Sequence, residues 1–316
     1  MNQLQWKRIS AMAAGVAVSA LFLWLSLRHV DMTGIRRAFY SIKIWRLAGC
    51  TICLVISIML RSIRWRMILG RPVTEQRAFF RAATLGLFSN MIFPARAGEF
   101  IRVYMLARLT GTPLPGPIAS ALIDRLTDLV VLLLCAGIVY LFTPVGDFIG
   151  QWVITLIAAA GCIAAVIVAY AWSSGQIETV VSLLFVRWLK PWQERSAVFL
   201  SDLRLVFRSL IPGVFRYKLI GLILLVPIVD YMAISFLLQT FQLTLPFSAP
   251  LVLWVFLAAG SALPSAPGYV GVYQLASVWA LSFYNISGST SVMAATVFQL
   301  NILAVAISCI IAVRRV

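Results

Sequence analysis

The chain has 316 residues, 62% of them hydrophobic and 11% charged, with 26 Lys and Arg against 10 Asp and Glu and a net charge of +16. Soluble domains are nearer ~45–50% apolar and ~25% charged, and one soluble core of this size cannot cover so much apolar surface. Composition therefore excludes a disordered chain, a coiled coil, a secreted disulfide scaffold and an ordinary soluble enzyme, and predicts a polytopic membrane protein, which the apolar windows below make all-α.

A membrane-crossing helix needs roughly 20 apolar residues. In chain order the windows are Ile9–Leu27, Leu47–Leu60, Ile118–Phe142, Trp152–Trp172, Leu219–Phe241 and Ser291–Val313, about six full spans in a single membrane domain over 1–316. None shows the period-2 alternation of a membrane β-barrel. Ile9–Leu27 follows Lys7 and Arg8 as a signal peptide would, yet no small-residue cleavage site precedes Arg28, so it reads as an uncleaved first helix. Arg28–Arg46 carries five basic residues, with Ile35, Phe39, Ile42 and Trp45 at helical spacing, and predicts an amphipathic helix on the membrane surface.

Arg61–Arg81 holds six arginines, a second basic block runs from Arg187 to Lys218, and Arg314-Arg315 lie at the far end, whereas Thr143–Gln151 and Gln242–Ala249 hold no Lys or Arg. The positive-inside rule then puts both basic blocks and both termini in the cytoplasm. Most of the +16 is this bias together with attraction to anionic lipid; no base-reading module accompanies it, so no nucleic-acid partner is expected. Residues 176–216, and Ile177–Leu210 within them, read as a cytoplasmic amphipathic segment and a possible docking surface for an enzyme partner. Trp45, Trp65, Trp152, Trp172, Trp188 and Trp192 flank the spans as interfacial anchors. The cysteines Cys50, Cys53, Cys135, Cys162 and Cys309 all fall in apolar windows and read as buried thiols, and Cys50–Cys53 has no second pair or nearby His to make a metal site.

Two apolar stretches are broken by Pro and Gly. Phe80–Phe93 leads through Pro94-Ala-Arg-Ala-Gly98-Glu99 to Phe100–Leu109, and Leu251–Leu263 leads through Pro264-Ser-Ala-Pro-Gly268 to Tyr269–Phe283. Both read Pro-x3-Gly and then Tyr-x-Leu-Ala, at Tyr104–Ala107 and Tyr273–Ala276, and each precedes a long apolar helix. The halves are too short to cross, so each reads as a re-entrant hairpin, and the flanking charge places the two on opposite sides. Residues 79–142 and 248–313 are then two inverted repeats, the pattern of transporters whose site lies near the midplane. Pro94 and Gly98 would stop the first helix, and the restart near Glu99 would aim its positive N-terminal end inward, toward an anion such as a lipid phosphate. Gly268 and Gly271 would admit close backbone approach to a ligand.

Ionisable residues inside apolar helices default to function. Asp124, Arg125 and Asp128 open the helix after the first hairpin, with Arg125 and Asp128 at i,i+3; Glu99 and Arg102 repeat that spacing beside the break. Cross-helix pairs Glu99–Arg125 or Arg102–Asp128 are expected. The bland alternative is a self-neutralised structural cluster near the interface. Asp230, after Pro227, reads equally as a functional group or as the satisfaction of a local kink. There is no phosphate loop, Gly-x-Ser-x-Gly or His-Glu-x-x-His, and one histidine in all, so neither enzyme chemistry nor a cofactor or metal is expected.

The run Pro94 to Arg102, then Arg108-Leu-Thr-Gly111, Asp124-Arg-Leu-Thr-Asp128, and Pro264 to Gln274 resembles the flippase-like membrane domain of lysylphosphatidylglycerol synthases, over essentially the whole chain. The resemblance implies an inner-membrane protein that moves or handles lipids between leaflets, such as anionic or aminoacylated phospholipids or polyprenyl-phosphate-linked lipids. The broken-helix repeat with ionisable residues beside it gives the expected headgroup site, with Arg125 and Arg102 on phosphate, Glu99 and Asp128 orienting them, and Asp124, Pro94, Gly98, Pro264, Gly268, Gly271 and Gln274 completing it. Two positions depart from the family pattern: Gln274 stands where the family commonly has Glu, and Gln299 is the nearest match to a frequent Arg. The expected function is lipid translocation. The alternatives are a non-transporting partner subunit of a glycosyltransferase or lipid-modifying enzyme, and a lipid-modifying enzyme using Glu99, Asp124 or Asp128.

Overall fold

The computed structural model describes residues 20–27, 31–93, 96–143, 145, 213–262 and 267–314. Pro94, Pro264, Trp152–Trp172, Ile177–Leu210 and most of Ile9–Leu27 lie outside the described residues. Among the described residues every regular element is helical, as expected for an all-α membrane protein. In chain order these are α1 (Met32–Tyr40), α2 (Ile44–Ile68), α3 (Gln76–Ile92), α4 (Ala97–Thr110), α5 (Pro115–Phe142), α6 (Gly213–Thr240), α7 (Ser248–Ala262), α8 (Val272–Ser282) and α9 (Gly288–Arg314). Residues 20–27 are also helical.

Four of these helices are long and apolar enough to cross a membrane: Ile44–Ile68, Pro115–Phe142, Tyr217–Thr240 and Gly288–Val313. The 25 residues of α2 rise roughly 37 Å at ~1.5 Å each, against a hydrocarbon core of ~30 Å. Their outward faces remain apolar, with Ile52, Leu134, Ile228 and Leu300 exposed, as lipid contact requires.

Side-chain pairs fix the helix directions. Along α2, Lys43 N–H donates to the Thr240 carbonyl at 2.9 Å, Ser57 meets Asp230, and Met67 and Ile68 pack on Leu219, so α6 runs antiparallel to α2. Arg61 pairs with Asp128, Arg64 with Asp124 and Trp65 with Ser120, so α5 is antiparallel to α2 as well. Thr51 meets Asn301 at 2.9 Å and Ile58 packs on Val305 and Cys309, which makes α9 parallel to α2 and antiparallel to α5. The end of α2, the starts of α5 and α6 and the end of α9 therefore share one face, here the Arg-rich end; α1 marks the other.

The remaining helices form two antiparallel hairpins. α3 and α4 pack together, and the connections 69–75 and 111–114 tie both of their ends to the Arg-rich end. α7 and α8 pack likewise, tied by 241–247 and 283–287 to the α1 end. Their 17, 14, 15 and 11 residues give lengths of roughly 16–26 Å, too short to cross alone. The two tips meet: Arg96 donates to the carbonyl and hydroxyl of Ser261, and a methyl at Gly268 would lie 3.3 Å from the Met91 carbonyl oxygen. In reciprocal fashion, α3 lies against α9 and α7 against α5.

Three expectations need correction. The amphipathic helix expected within 28–46 ends at Tyr40, because Ser41 N–H bonds back to Arg37 and Ala38 and Lys43 is held by Thr240. Ile42 then sits in a break and Trp45 in the first turn of α2. The Asp31 side chain caps α1 by accepting from both the Thr33 N–H and the Thr33 hydroxyl, and the hydroxyl contact foremost holds its carboxyl below the usual range. The span expected at Leu47–Leu60 runs on to Ile68, because Arg61 and Arg64 are neutralised by partners. Trp65 is no interfacial anchor: it is 1% exposed, its indole N–H bonded to Ser120 and its ring edge-on to Phe79. Trp45, by contrast, is exposed. Cys50, Cys53 and Cys309 are buried free thiols, and no metal-holding group occurs among the described residues.

Candidate functional site

A cavity of about 940 Å³ lies where α2, α4, α5 and α6 face the two hairpin tips. Arg125 of α5 reaches Glu99 of α4 at 3.1 Å and Asp128, one turn along, at 2.9 Å. Asp128 also accepts from Arg64 of α2 at 2.7 Å, and Arg64 binds Asp124 through Nε at 2.9 Å. Asp124 accepts from Arg102 Nη1 at 3.3 Å, and Arg102 Nε lies 2.8 Å from Glu99. The circuit closes: three arginines and three carboxylates alternate around a ring on α2, α4 and α5. Arg61 branches from it, joining Asp128 at 3.1 Å to Asp230 of α6 at 2.7 Å.

The ring has a buried side and an open side. Side-chain exposure is 1% at Arg64, 2% at Asp124 and 7% at Arg102, against 42% at Arg125 and 29% at Glu99. Helix geometry sets this order. Asp124 and Asp128, a turn apart, face Arg64 and Arg61, which are i,i+3 on the antiparallel α2, while Arg125 projects beside them toward the cavity. On the buried side the Arg102 guanidinium stacks over the Trp65 ring, 4.8 Å from its centroid, and its Nη2 finds no hydrogen-bond acceptor.

Most of the expected site residues are thus together. Glu99–Arg125 forms as expected. Arg102–Asp128 does not: Arg102, nearer the start of α5, takes Asp124, and Asp128 is shared by Arg61, Arg64 and Arg125. Asp230 answers to α2, through Ser57 at 2.5 Å and Arg61, and not to a kink in its own helix. Gly98 does not stop a helix; it lies in the first turn of α4, where an added Cβ would stand 2.0 Å from the Gly86 carbonyl oxygen, so its role is close helix approach. The break itself passes through Arg96 at φ 54°. Nor is the N-terminus of α4 open to an anion: Gly98 N–H is taken by Asn90 Oδ1 at 2.9 Å, and Glu99 occupies the first turn.

The second hairpin offers no charge. Gly268 and Gly271 both sit at positive φ, the conformation glycine adopts without strain. Gln274 accepts from Gly271 N–H at 2.8 Å and donates to Gln299 at 2.7 Å, and Gln299 donates to the Gly268 carbonyl at 2.8 Å. The two departures from the family pattern therefore touch each other and form a neutral pair. Tyr269 stacks on Tyr273, 5.2 Å between centroids, and with Trp254 and Phe298 they line the cavity opposite the charged ring.

Sequence reasoning missed Arg61, Arg64 and Arg96, which count there only toward the basic bias. The available signal was the apolar helical pattern continuing through Ile63, Met67 and Ile68, which keeps Arg61 and Arg64 inside the span.

Over 128 residues, 40% of this chain and 20% of the relative, the sequence is 29% identical to glycosyltransferase AglD of Haloferax volcanii. Over 158 residues, 48% of this chain and 42% of the relative, it is 28% identical to a UPF0104 membrane protein of Methanothermobacter thermautotrophicus. In both cases the match takes in less than half of the relative's own length. No solved structure matches the chain. The family model for the lysylphosphatidylglycerol synthase TM region matches residues 12–309. With that match across an all-helical membrane protein, the chain belongs to the lysylphosphatidylglycerol synthase TM region family.

Proposed function

We propose that the protein is a non-enzymatic lipid translocator that moves a phospholipid or polyprenyl-phosphate-linked lipid between leaflets of a bacterial inner membrane, with its Arg-rich end and both termini in the cytoplasm. The observation that carries this reading is the condition of Arg125. It is the most exposed member of the ring, and of the two exposed arginines in the ion-pair network, Arg61 and Arg125, it is the one that can leave without orphaning a carboxylate. Asp128 keeps Arg61 and Arg64, and Glu99 keeps Arg102. Releasing Arg61 instead would leave Asp230 only Ser57. A lipid phosphate can therefore take the Arg125 guanidinium, the planar fork suited to it, while no buried carboxylate is left unpaired.

In this reading residues 79–142 and 248–313 are inverted repeats, and the meeting of their re-entrant tips near the midplane bars passage until a headgroup engages. Opposite entry faces, opposite directions of α5 and α9, and reciprocal packing of α3 on α9 and α7 on α5 support it. Arg102, Asp124 and Asp128 position the site, Glu99 orients Arg125, and Gly268, Gly271 and Gln274 shape the facing tip.

The test is headgroup accessibility of labelled phosphatidylglycerol, aminoacylated phosphatidylglycerol and polyprenyl phosphate in proteoliposomes. Wild type is expected to transfer at least one lipid, and Arg125→Ala to fall to the protein-free rate while remaining monodisperse. Unchanged transfer by a folded Arg125→Ala overturns the mechanism. The similarity to AglD favours a second reading, a membrane partner of a glycosyltransferase. That reading gains if no lipid moves and an enzyme co-purifies.

A further inference from the structure

The cavity has an uneven charge account. Among the described residues five arginines and four carboxylates line it, a surplus of one positive charge. The tip residues 94–95 and 263–266 are Pro, Ala, Leu and Ser and add none. The facing wall is neutral as well, since Tyr269, Tyr273, Trp254 and Phe298 carry no charge and Gln274 is satisfied by Gln299. In a poorly screened interior a surplus charge interacts far more strongly with its occupant than it would in water.

We infer that the cavity selects a lipid whose headgroup carries one net negative charge and discriminates against aminoacylated, net-cationic headgroups. The inference rests on the translocation reading and narrows its substrate class. A phosphodiester with an uncharged polar substituent brings the lined space to neutrality. A lysyl ester of that headgroup carries two ammonium groups against one phosphate and would raise the surplus to two. The carboxylates cannot relieve this: Glu99 and Asp124 each already face two or more arginines and Asp128 three, and Asp230 is held by Arg61 and Ser57. The buried arginines among these have nowhere to withdraw, with Arg64 1% and Arg102 7% exposed.

Two isosteric changes shift the account in opposite directions. Asn90→Asp adds a negative charge to the lining and keeps an acceptor for Gly98 N–H, the bond Asn90 Oδ1 makes now. Asp230→Asn removes one negative charge while leaving an oxygen for Ser57. Full-length protein is assayed for transfer in proteoliposomes and for equilibrium binding in detergent, using phosphatidylglycerol and lysylphosphatidylglycerol as probes. Wild type is expected to favour phosphatidylglycerol at least ~10-fold, equivalent to ~1.4 kcal/mol. Asn90→Asp should lower that ratio and Asp230→Asn should raise it, opposite shifts that a general structural lesion would not produce. Equal or preferred handling of lysylphosphatidylglycerol overturns the inference while leaving translocation standing. Selective binding without transfer overturns translocation and keeps the selectivity, and binding of neither lipid overturns both.

Discussion

The side chains that matter most here are those whose charge the membrane would otherwise forbid. Arg64 and Asp124 are 1% and 2% exposed and meet at 2.7 Å. Each desolvated charge is tolerated only because others compensate it, and removing one partner of a buried pair costs about 3–5 kcal/mol. Arg64→Met is therefore expected to lower stability by about that much in thermal unfolding of detergent-solubilised protein. Adding Asp124→Leu should recover much of the loss, since the orphaned carboxylate goes with it. Arg125→Ala should cost far less, because its side chain is 42% exposed and its partners keep other arginines. A comparable loss in Arg64→Met and Arg125→Ala would mean that the ring is uniformly structural. The sequence shows Asp124, Arg125, Asp128, Glu99 and Arg102 as costly charges in apolar helices. It does not show which arginine is buried, because burial depends on how α2 lies against α5, and that contact spans some sixty positions in the chain.

At the scale of helices, close approach governs the first hairpin. Gly98 faces Gly86 so tightly that a methyl would stand 2.0 Å from its carbonyl oxygen, and a methyl at Gly86 would meet the Arg102 Cβ at 2.7 Å. Gly98→Ala must push α3 from α4 and displace Arg102 with it. A loss of roughly 1–3 kcal/mol is expected for such overpacking, read by thermal unfolding in detergent. Gly116→Ala, where the methyl would meet Leu69 at an ordinary 3.7 Å, is the control and should stay within ~0.5 kcal/mol of wild type. If both variants unfold alike, the close contact is not what holds the hairpin. The paired Pro-x3-Gly motifs mark where each hairpin turns, yet their glycines do different work: Gly98 is needed for space, Gly268 for a φ of 67°. A shared motif carries the break but not its geometry, because left-handed backbone falls at Arg96 in one tip and at Gly268, Tyr269 and Gly271 in the other.

For the whole molecule, helix directions imply that the hairpins are entered from opposite faces. Thr74, before α3, and Thr244, before α7, are both exposed. In a background whose native cysteines are replaced, Thr74→Cys and Thr244→Cys should react with a membrane-impermeant maleimide from opposite sides of sealed vesicles. Labelling from one side only would overturn the arrangement. The Arg-rich Arg61–Arg81 segment also divides at this scale. Arg66 and Arg71 bind Gln76 and Glu75 near the face, whereas Arg61 and Arg64 turn inward to the ring.

The sequence by itself determined the membrane class, the apolar windows that hold the four long helices among the described residues, the two broken stretches and the carboxylates and arginines beside the first. Each follows from local hydropathy, from Pro and Gly chemistry, or from the cost of charge in apolar surroundings, all readable within a window of residues. Only the tertiary structure decided that Arg61 and Arg64 belong to the site and not to the basic surface, that Arg102 pairs with Asp124, and that Asp128 is shared by three arginines. It also decided that Gln274 meets Gln299, and that among the described residues lining the cavity one positive charge remains over. These are consequences of which helix faces meet, and a pairing between faces distant in the chain leaves no trace in the local pattern of either.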